Sequence, residues 1–322
     1  MEHYLGMDLG GTDVKMGVVD SNGTIVVKQS YPTPAGLAGD KLADYFAECM
    51  RKTAAAAGLR LETLAAAGIG APGLVNTTNG ILDFVTNIPS LNDYPLGPQM
   101  AKRLNIPVAV DNDVNAMVLA ELYYGAARSY RNIVALTVGT GVGGGLIFNG
   151  QLYRGSSFGA GEIGHMSIET NGPLCNCGNY GCLERYIGRE AIVARFDALY
   201  RHKKLPSSID RHLEQGAITP RAIAMAAAEG DELSLFVMDE IGRYLGNGLA
   251  TIVNILNPEL IVIGGGIANA GELLLEPARR EMFRRAAVMP ARMVKVVQAK
   301  FLNDAGILGA ASLAREGSDR TD

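Results

Sequence analysis

The sequence predicts an α/β protein built from two similar halves. Three observations carry that. A glycine-rich turn inside a run of β-forming residues occurs twice, at 4–30 and again at 133–153. Short strand-like stretches then alternate with longer helix-like ones, the pattern of strands and helices in layers. And 322 residues suffice for two domains with a sizeable core. The two halves read as an internal duplication with a cleft between them.

Element by element, YLGMDLGGTDVKMGVVDSNGTIVVKQS (4–30) gives strand, Gly-rich turn and strand, then a third strand after Asn22-Gly23, a strong hairpin signal. Residues 38–57 read as a helix, and AAAGIGAPG as a short buried strand ending near Gly70. A strand at 106–110 runs into a helix at about 114–125. The second half repeats the opening: IVALTV as strand, GTGVGGG as turn, LIF as strand, Asn149-Gly150 as turn, QLY as strand. GREAIVARFDALYRHK is amphipathic, 219–229 is a short helix, and 232–256 is a long apolar helix that stops before Pro258. ELIVIGGG is strand and loop, followed by a helix at 272–287, a strand at 293–298 and a last helix at 304–315 that opens at Asp304, a good N-cap. No low-complexity linker interrupts the chain. Each half opens with antiparallel strands, as a meander must.

Composition narrows the function classes. Hydrophobic residues at 48% and charged residues at 19% fit a soluble globular protein. A net charge of −4 with no basic cluster argues against nucleic acid and against anionic membranes as partners. The start, MEHYLGMDLG, has no secretory signal pattern, and no apolar run reaches membrane-spanning length. The expected compartment is the cytoplasm, where thiols stay reduced. There, three of four cysteines within CNCGNYGCLE (Cys175, Cys177, Cys182) read as a thiolate metal site rather than a disulfide framework. Cys49, alone on a helix, reads as core.

Glycine is abundant, 40 of 322 residues, against roughly 7% on average. In DLGGT (8–12) the glycines let backbone N–H groups approach a phosphate, and Asp8 beside it makes sense with a divalent cation between them; an ordinary β-turn is the alternative. TVGTGVGGG (137–145) formally matches a dinucleotide fingerprint through Gly139, Gly141 and Gly144. The next residues read as strand and hairpin rather than helix, so the stretch fits better as a second phosphate loop. Gly264, Gly265 and Gly266 sit between a strand and a helix, as a nucleotide loop or as a tight turn. In VAVDND, Asp113 stands at a strand's C-terminal end, where open α/β sheets bind ligands, or else it caps the next helix.

DLGGT, TVGTGVGGG, AGEIGH, CNCGNYGCLE and LNPELIVIGGG, in this order across residues 8–266, resemble the ROK family of sugar kinases in the actin-like ATPase superfamily. Within it the chain is most similar to bacterial zinc-containing glucokinases. The resemblance implies two ribonuclease-H-like domains closing on a hexose and ATP–Mg²⁺, and a homodimer. The domains are expected at 1–115, joined by a C-terminal helix at 304–322, and at 116–303 with the zinc loop. Asp113 matches the catalytic base, which takes the proton of the attacking hydroxyl. Asn112, Glu162, His165 and Glu184 match sugar contacts, Gly73 a backbone contact, and Asn87 a polar group over the sugar. Ser90 and Leu91 depart from the family's usual residues after that asparagine. Asp8, Gly10, Gly11, Thr12, Lys15, Thr137, Gly139, Thr140, Gly141 and Gly264–Gly266 match the ATP–Mg²⁺ side, with Asp8 placing the cation through water.

The cysteine loop then reads as a structural Zn²⁺ site of Cys175, Cys177, Cys182 and His165, the only histidine in that neighbourhood; His3, His202 and His212 read as surface or core. Zinc would fix His165 three residues from Glu162, and Cys182 two residues from Glu184. The reaction expected is phosphorylation of glucose at O6. N-acetylglucosamine, N-acetylmannosamine, fructose and allose kinases share every motif named, and the glycine loops suit ATP and polyphosphate alike. A sugar-responsive repressor is disfavoured because the first strand starts within five residues of Met1, leaving no room for a helix-turn-helix. A nicotinamide-dependent oxidoreductase fails on the context of its glycine motif.

Overall fold

The computed structural model describes residues 2–34, 36–85, 87–202 and 205–318. Lys203 of the expected amphipathic helix and residues 319–322 of the expected C-terminal segment lie outside them. In chain order the elements are β1 (His3–Leu9), β2 (Asp13–Asp20), β3 (Ile25–Pro32), α1 (Asp40–Ala56), β4 (Ala66–Ala71), β5 (Leu74–Asn76), β6 (Ile81–Phe84), α2 (Leu96–Leu104), β7 (Val108–Asn112) and α3 (Asp113–Tyr124). The second run is β8 (Ile133–Val138), β9 (Val142–Phe148), β10 (Gln151–Tyr153), α4 (Glu184–Ile187), α5 (Arg189–Arg201), α6 (Pro220–Ala228), α7 (Glu232–Leu256), β11 (Leu260–Gly264), α8 (Glu272–Arg285), α9 (Val288–Met293), β12 (Lys295–Gln298) and α10 (Ala305–Ser318).

The turn chemistry works as the sequence suggests. Asn149 and Gly150 both take positive φ, 55° and 82°, as a two-residue hairpin with the strands' own twist requires. At the earlier hairpin the Asp20 carboxylate accepts the N–H groups of Asn22 (2.9 Å) and Thr24 (2.8 Å). Helix α7 closes at Asn257 in the left-handed region, one residue before Pro258. The expected strands and long helices are all present. The hairpin β5–β6 and the helices α2, α4 and α9 are additions. In α2, Pro95 is the N-cap and Pro98 lies in the first turn, where a proline's missing N–H has no partner to lose.

The chain forms two compact units. The first takes residues up to 129, 152–160 and from 303 onward; the second takes 130–151 and 161–302. The expected boundary at 115 is therefore too early. Helix α3 belongs whole to the first unit because it packs on α10, where the backbone oxygen of Ala116 fills the space a side chain at Gly309 would need.

In the first unit one sheet runs β3-β2-β1-β4-β7, antiparallel through the first three strands and parallel beyond. In the second the order is β10-β9-β8-β11-β12, with β8 and β9 antiparallel and β11 and β12 parallel to β8. One strand order used twice is the duplication expected from the sequence. In the first unit Leu5, Met7, Met16 and Ile69 of the sheet pack with Phe46 and Met50 of α1, all fully buried. On the first unit's sheet, α10 crosses β1 and β4 at glycines. A side chain at Gly6 would strike the carbonyl of Ile307, and one at Gly68 that of Ala310. Only glycine permits that approach.

Candidate active site and metal centre

Strand β7 delivers VAVDN to the start of α3, and the residues there divide the work. Asn112 is the N-cap: its Oδ1 accepts Val114 N–H (2.8 Å) and Asn115 N–H (3.3 Å). Its Nδ2 donates to the Gly73 carbonyl at 3.0 Å. Gly73 holds φ 96°, and a side chain there would strike Phe84 O. The cap thus falls on Asn112, and Asp113 becomes the first helical residue. Its Oδ1 accepts Val114 N–H at 2.9 Å. Burial, and then the neighbouring Asp8 carboxylate, push Asp113 up to about 7. Burial also raises Asp8, against the charge of Lys15, its cross-strand partner on β2.

The turn between β1 and β2 is Gly10–Thr12. It closes through Gly10 N–H on Asp13 O (3.1 Å), and Thr33 fastens it from outside, its hydroxyl on Gly10 O (2.7 Å) and its N–H on Thr12 O (2.8 Å). A side chain at Gly10 would meet Asp13 O at 2.5 Å, and one at Gly11 would meet Asn87 Cβ at 3.0 Å. The expected phosphate turn and the expected sugar contact Asn87 are therefore neighbours. Beyond them, Pro89–Leu91 is a 3₁₀ turn in which Leu91 is fully buried and serves the core, while Ser90 is exposed.

In the second unit the turn between β8 and β9 is Gly139–Gly141, with Thr137 near the end of β8. Gly139 N–H bonds Gly141 O at 2.9 Å, and Arg189 N–H at the start of α5 bonds Gly139 O at 3.0 Å. The Thr140 carbonyl lies against Gly188. Strand β9 comes directly after, so the dinucleotide reading fails here as expected. A side chain at Gly265 (φ 86°) would meet Val138 N at 2.6 Å, which brings the 264–266 loop beside this turn. Gly139 and Gly266 are different: a Cβ on either meets nothing within 4 Å. At Gly141 the space is taken by Glu184, whose Oε2 accepts Val142 N–H at 2.8 Å. This fastening was not foreseen from the sequence.

The cysteine loop gathers four donors. Cys175 Sγ lies 3.7 Å from His165 Nδ1, and Cys177 Sγ 3.7 Å from Cys182 Sγ. All four ligand atoms fall within 4.8 Å of one another. Zinc–sulfur bonds of ~2.3 Å in a tetrahedron set ligands ~3.8 Å apart, so the cluster fits that ion. Burial, and then hydrogen bonding with Cys177, push the Cys182 thiol up to about 12, a cost that a cation removes by holding thiolates. Gly178 (φ 89°) and Gly181 (φ 67°) turn the loop back on itself. His165 turns Nε2 toward Glu162 Oε2, 3.8 Å away, and Glu162 is exposed. Glu184 opens α4 two residues after Cys182. The two expected carboxylates thus flank the cluster in sequence, Glu162 near His165 and Glu184 bonded to Val142 beside the turn after β8.

Two groups at the β7–α3 corner had been given no role from the sequence. Asp111 is 2% exposed, and Arg154 donates to it from Nε at 2.6 Å. Asp111 lies within the VAVDND stretch; Arg154, in QLYRG, had no signal of its own.

The chain matches the ROK family over residues 4–317. It is 37% identical to the glucokinase of Thermotoga maritima over 316 residues, 97% of each chain. It is 33% identical to an N-acetyl-D-glucosamine kinase of Escherichia coli O6:H1, covering 96% of this chain and 98% of that one. Among solved structures, a ROK family glucokinase from Streptomyces griseus in complex with glucose and AMPPNP superposes with a TM-score of 0.83 at 31% identity, over 98% of this chain and 99% of that one. The fold and these matches define a sugar-kinase-like α/β protein of the actin-like ATPase type. The chain belongs to the ROK family.

Proposed function

We propose that the protein transfers the γ-phosphoryl group of ATP to glucose, at O6. The observation that carries this is Asp113: a carboxyl poised at about 7 on the first turn of α3, in a chain so like glucokinases. A general base works best with a pKa near the operating pH. The sugar hydroxyl oxygen bonds to the γ-phosphorus, the bond to the bridging oxygen of ADP breaks, and the hydroxyl proton passes to Asp113. Asn112 and Gly73 hold the sugar beside it, with Asn87; Glu162, His165 and Glu184 take further hydroxyls. Carboxylates are acceptor-only groups and bind hydroxyls strongly.

Gly10, Gly11, Thr12, Thr137, Gly139, Thr140 and Gly141 face the phosphates, with Lys15 and Gly264–Gly266 on the nucleotide side. The open space at Gly139 and Gly266 supports this, since a Cβ there meets no atom of the described residues within 4 Å. Asp8 is the residue for Mg²⁺. A zinc ion held by His165, Cys175, Cys177 and Cys182 is structural, with no open position for Lewis-acid chemistry. The similarity to glucokinases supports a cytoplasmic, glycolytic role. No helix among the described residues is long and apolar enough to cross a membrane. Exposed Ile255, Phe283, Val288, Met289 and Met293 on the second unit support a homodimer.

Release of ADP from ATP over a panel of hexoses tests the reading, with glucose expected to give the highest kcat/KM. The similarity to an N-acetyl-D-glucosamine kinase makes N-acetylglucosamine the second substrate to try. A higher kcat/KM on that sugar would replace glucose; no turnover on any hexose would remove the kinase reading.

A further inference from the structure

We propose that Arg154 is a positioning residue for phosphoryl transfer, acting through Asp111 and Asn112 to hold Asp113 in place. The inference rests on the kinase reading above and adds to it a residue from a remote part of the sequence. Residues 152–160 group with the first unit although both flanking segments belong to the second. Arg154 is tied there by its own backbone, its carbonyl accepting Ala160 N–H at 3.1 Å.

The side chain of Arg154 begins a continuous chain of polar contacts. Nε donates to Asp111 Oδ2 at 2.6 Å. Asp111 Oδ1 accepts two more donors, Asn115 Nδ2 at 2.9 Å and Asn112 N–H at 2.7 Å. Asn112 then caps α3 and grips Gly73. The three residues Asp111, Asn112 and Asp113 are consecutive, so the angle at which Asp113 leaves the strand is set by how its two predecessors are pinned. Of the three donors to Asp111, Arg154 is the only charged one. A carboxylate 2% exposed needs such a partner, because an unpaired buried charge is strongly unfavourable. A charge-assisted bond is also shorter and more directional than a neutral one, which suits a part whose task is orientation.

This pair is placed for positioning rather than for sealing a core. Arg154 and Asp111 line a cavity of about 360 Å³ with Thr77, Thr78 and Asn79 of the β5–β6 turn. Pairing buried charges adds little net stability over apolar residues of similar volume, so stability alone is a weak reason for the pair to stand there. The cavity also leaves room for other side chains at 154, so substitutions remove the bond without crowding the sheet.

The test compares the wild type with R154K, R154M and D111N/R154M, measuring kcat, KM for hexose, KM for ATP and the unfolding temperature. A misplacement of the base by about 1 Å can cost about 10²-fold in rate, so R154M is expected to lose about 10²-fold in kcat with KM for ATP unchanged. R154K, which keeps the charge, is expected to recover most of that loss. The double variant removes the uncompensated charge and is expected to regain the unfolding temperature but not kcat. A double variant that regains both would make the pair a matter of folding only and overturn the inference. So would R154M with wild-type kcat while the wild type turns over hexose. A wild type that releases no ADP with any hexose would overturn the kinase reading and this inference together, which separates the two failures.

Discussion

The turns Gly10–Thr12 and Gly139–Gly141 occupy equivalent places, each joining the first two strands of its sheet, and each has three residues between strands. They are held differently. The first is fastened by a neutral group, Thr33, and carries its charge within the sheet, at Asp8. The second carries no acid of its own; its charge arrives from Glu184, at the start of a helix beside the cysteine loop. One strand order occurs twice, and the acids stand at different places on it. In the first unit a burial-strained carboxyl pair, Asp8 and Asp113, suits metal binding and proton transfer. In the second, the acids Glu184, half-buried, and Glu162, exposed, stand either side of the cysteine cluster in sequence, a setting open to hydroxyl groups.

The sharpest way to break that contrast is Asp113→Asn. The amide keeps size and hydrogen bonding but takes no proton, so kcat is expected to fall ~10²–10⁴-fold, with sugar affinity by calorimetry near wild type. More than a tenth of wild-type kcat would disqualify Asp113 as the base.

Cys177→Ser addresses the other unit. Serine stays protonated near neutral pH and is a poor zinc ligand, so zinc by elemental analysis should drop below one per chain. Freed from the metal, His165, Glu162 and Glu184 lose their placement, and KM for the hexose should rise ~10–100-fold while ATP is less affected. The unfolding temperature should fall as well. A zinc-depleted variant with normal hexose KM would detach the metal from sugar binding.

Two alanine substitutions in one turn then separate its ligand-facing glycine from its structural one. Gly139→Ala meets open space, so the unfolding temperature should hold while KM for ATP rises. Gly141→Ala collides with Glu184 and should also raise the KM for hexose. Equal behaviour of the two variants would show that Glu184 does not mark the difference between them.

The smallest expected effect is the pH profile. Asp113 accepts a proton only when ionised, and it sits at about 7 rather than the usual carboxylate range. Below that pH the protonated form dominates, so log kcat/KM for hexose should decline with a slope approaching one as pH falls, and level off above it. In Gly139→Ala the midpoint should not move, since that turn has no part in the proton transfer. A profile flat from pH 5 to 8 would mean that Asp113 is not held at about 7.

Much of this was legible because the strongest signals are local. Asn-Gly turns, Pro258 and the two glycine runs mark boundaries that short-range sterics impose. The cysteine cluster was readable because Cys175, Cys177 and Cys182 are close in sequence and His165 had no rival nearby. The features that escaped depend on contacts distant in the chain. Glu184 meets Val142 across 42 positions and Arg154 meets Asp111 across 43, and neither spacing leaves a periodic trace. Helix α2 escaped for another reason: its prolines sit where a helix tolerates them but a turn favours them. That Asn112, not Asp113, caps α3 is likewise a choice between adjacent residues of similar propensity, which only the three-dimensional partners resolve.

The glycines of β1 and β4 that accept α10 have a consequence for how the chain is made. The sheet that begins at His3 is completed by a helix roughly 300 residues later, on the ribosome a delay of some tens of seconds at ~5–20 residues per second. During that interval the backbone at Gly6 and Gly68 lacks the cover of α10, and all of the second unit, which ends at residue 302, is synthesised before that helix begins. The unit that is encoded first is therefore the one finished last, and a nascent chain stalled before residue 305 presents that sheet face, without α10, to chaperones and proteases.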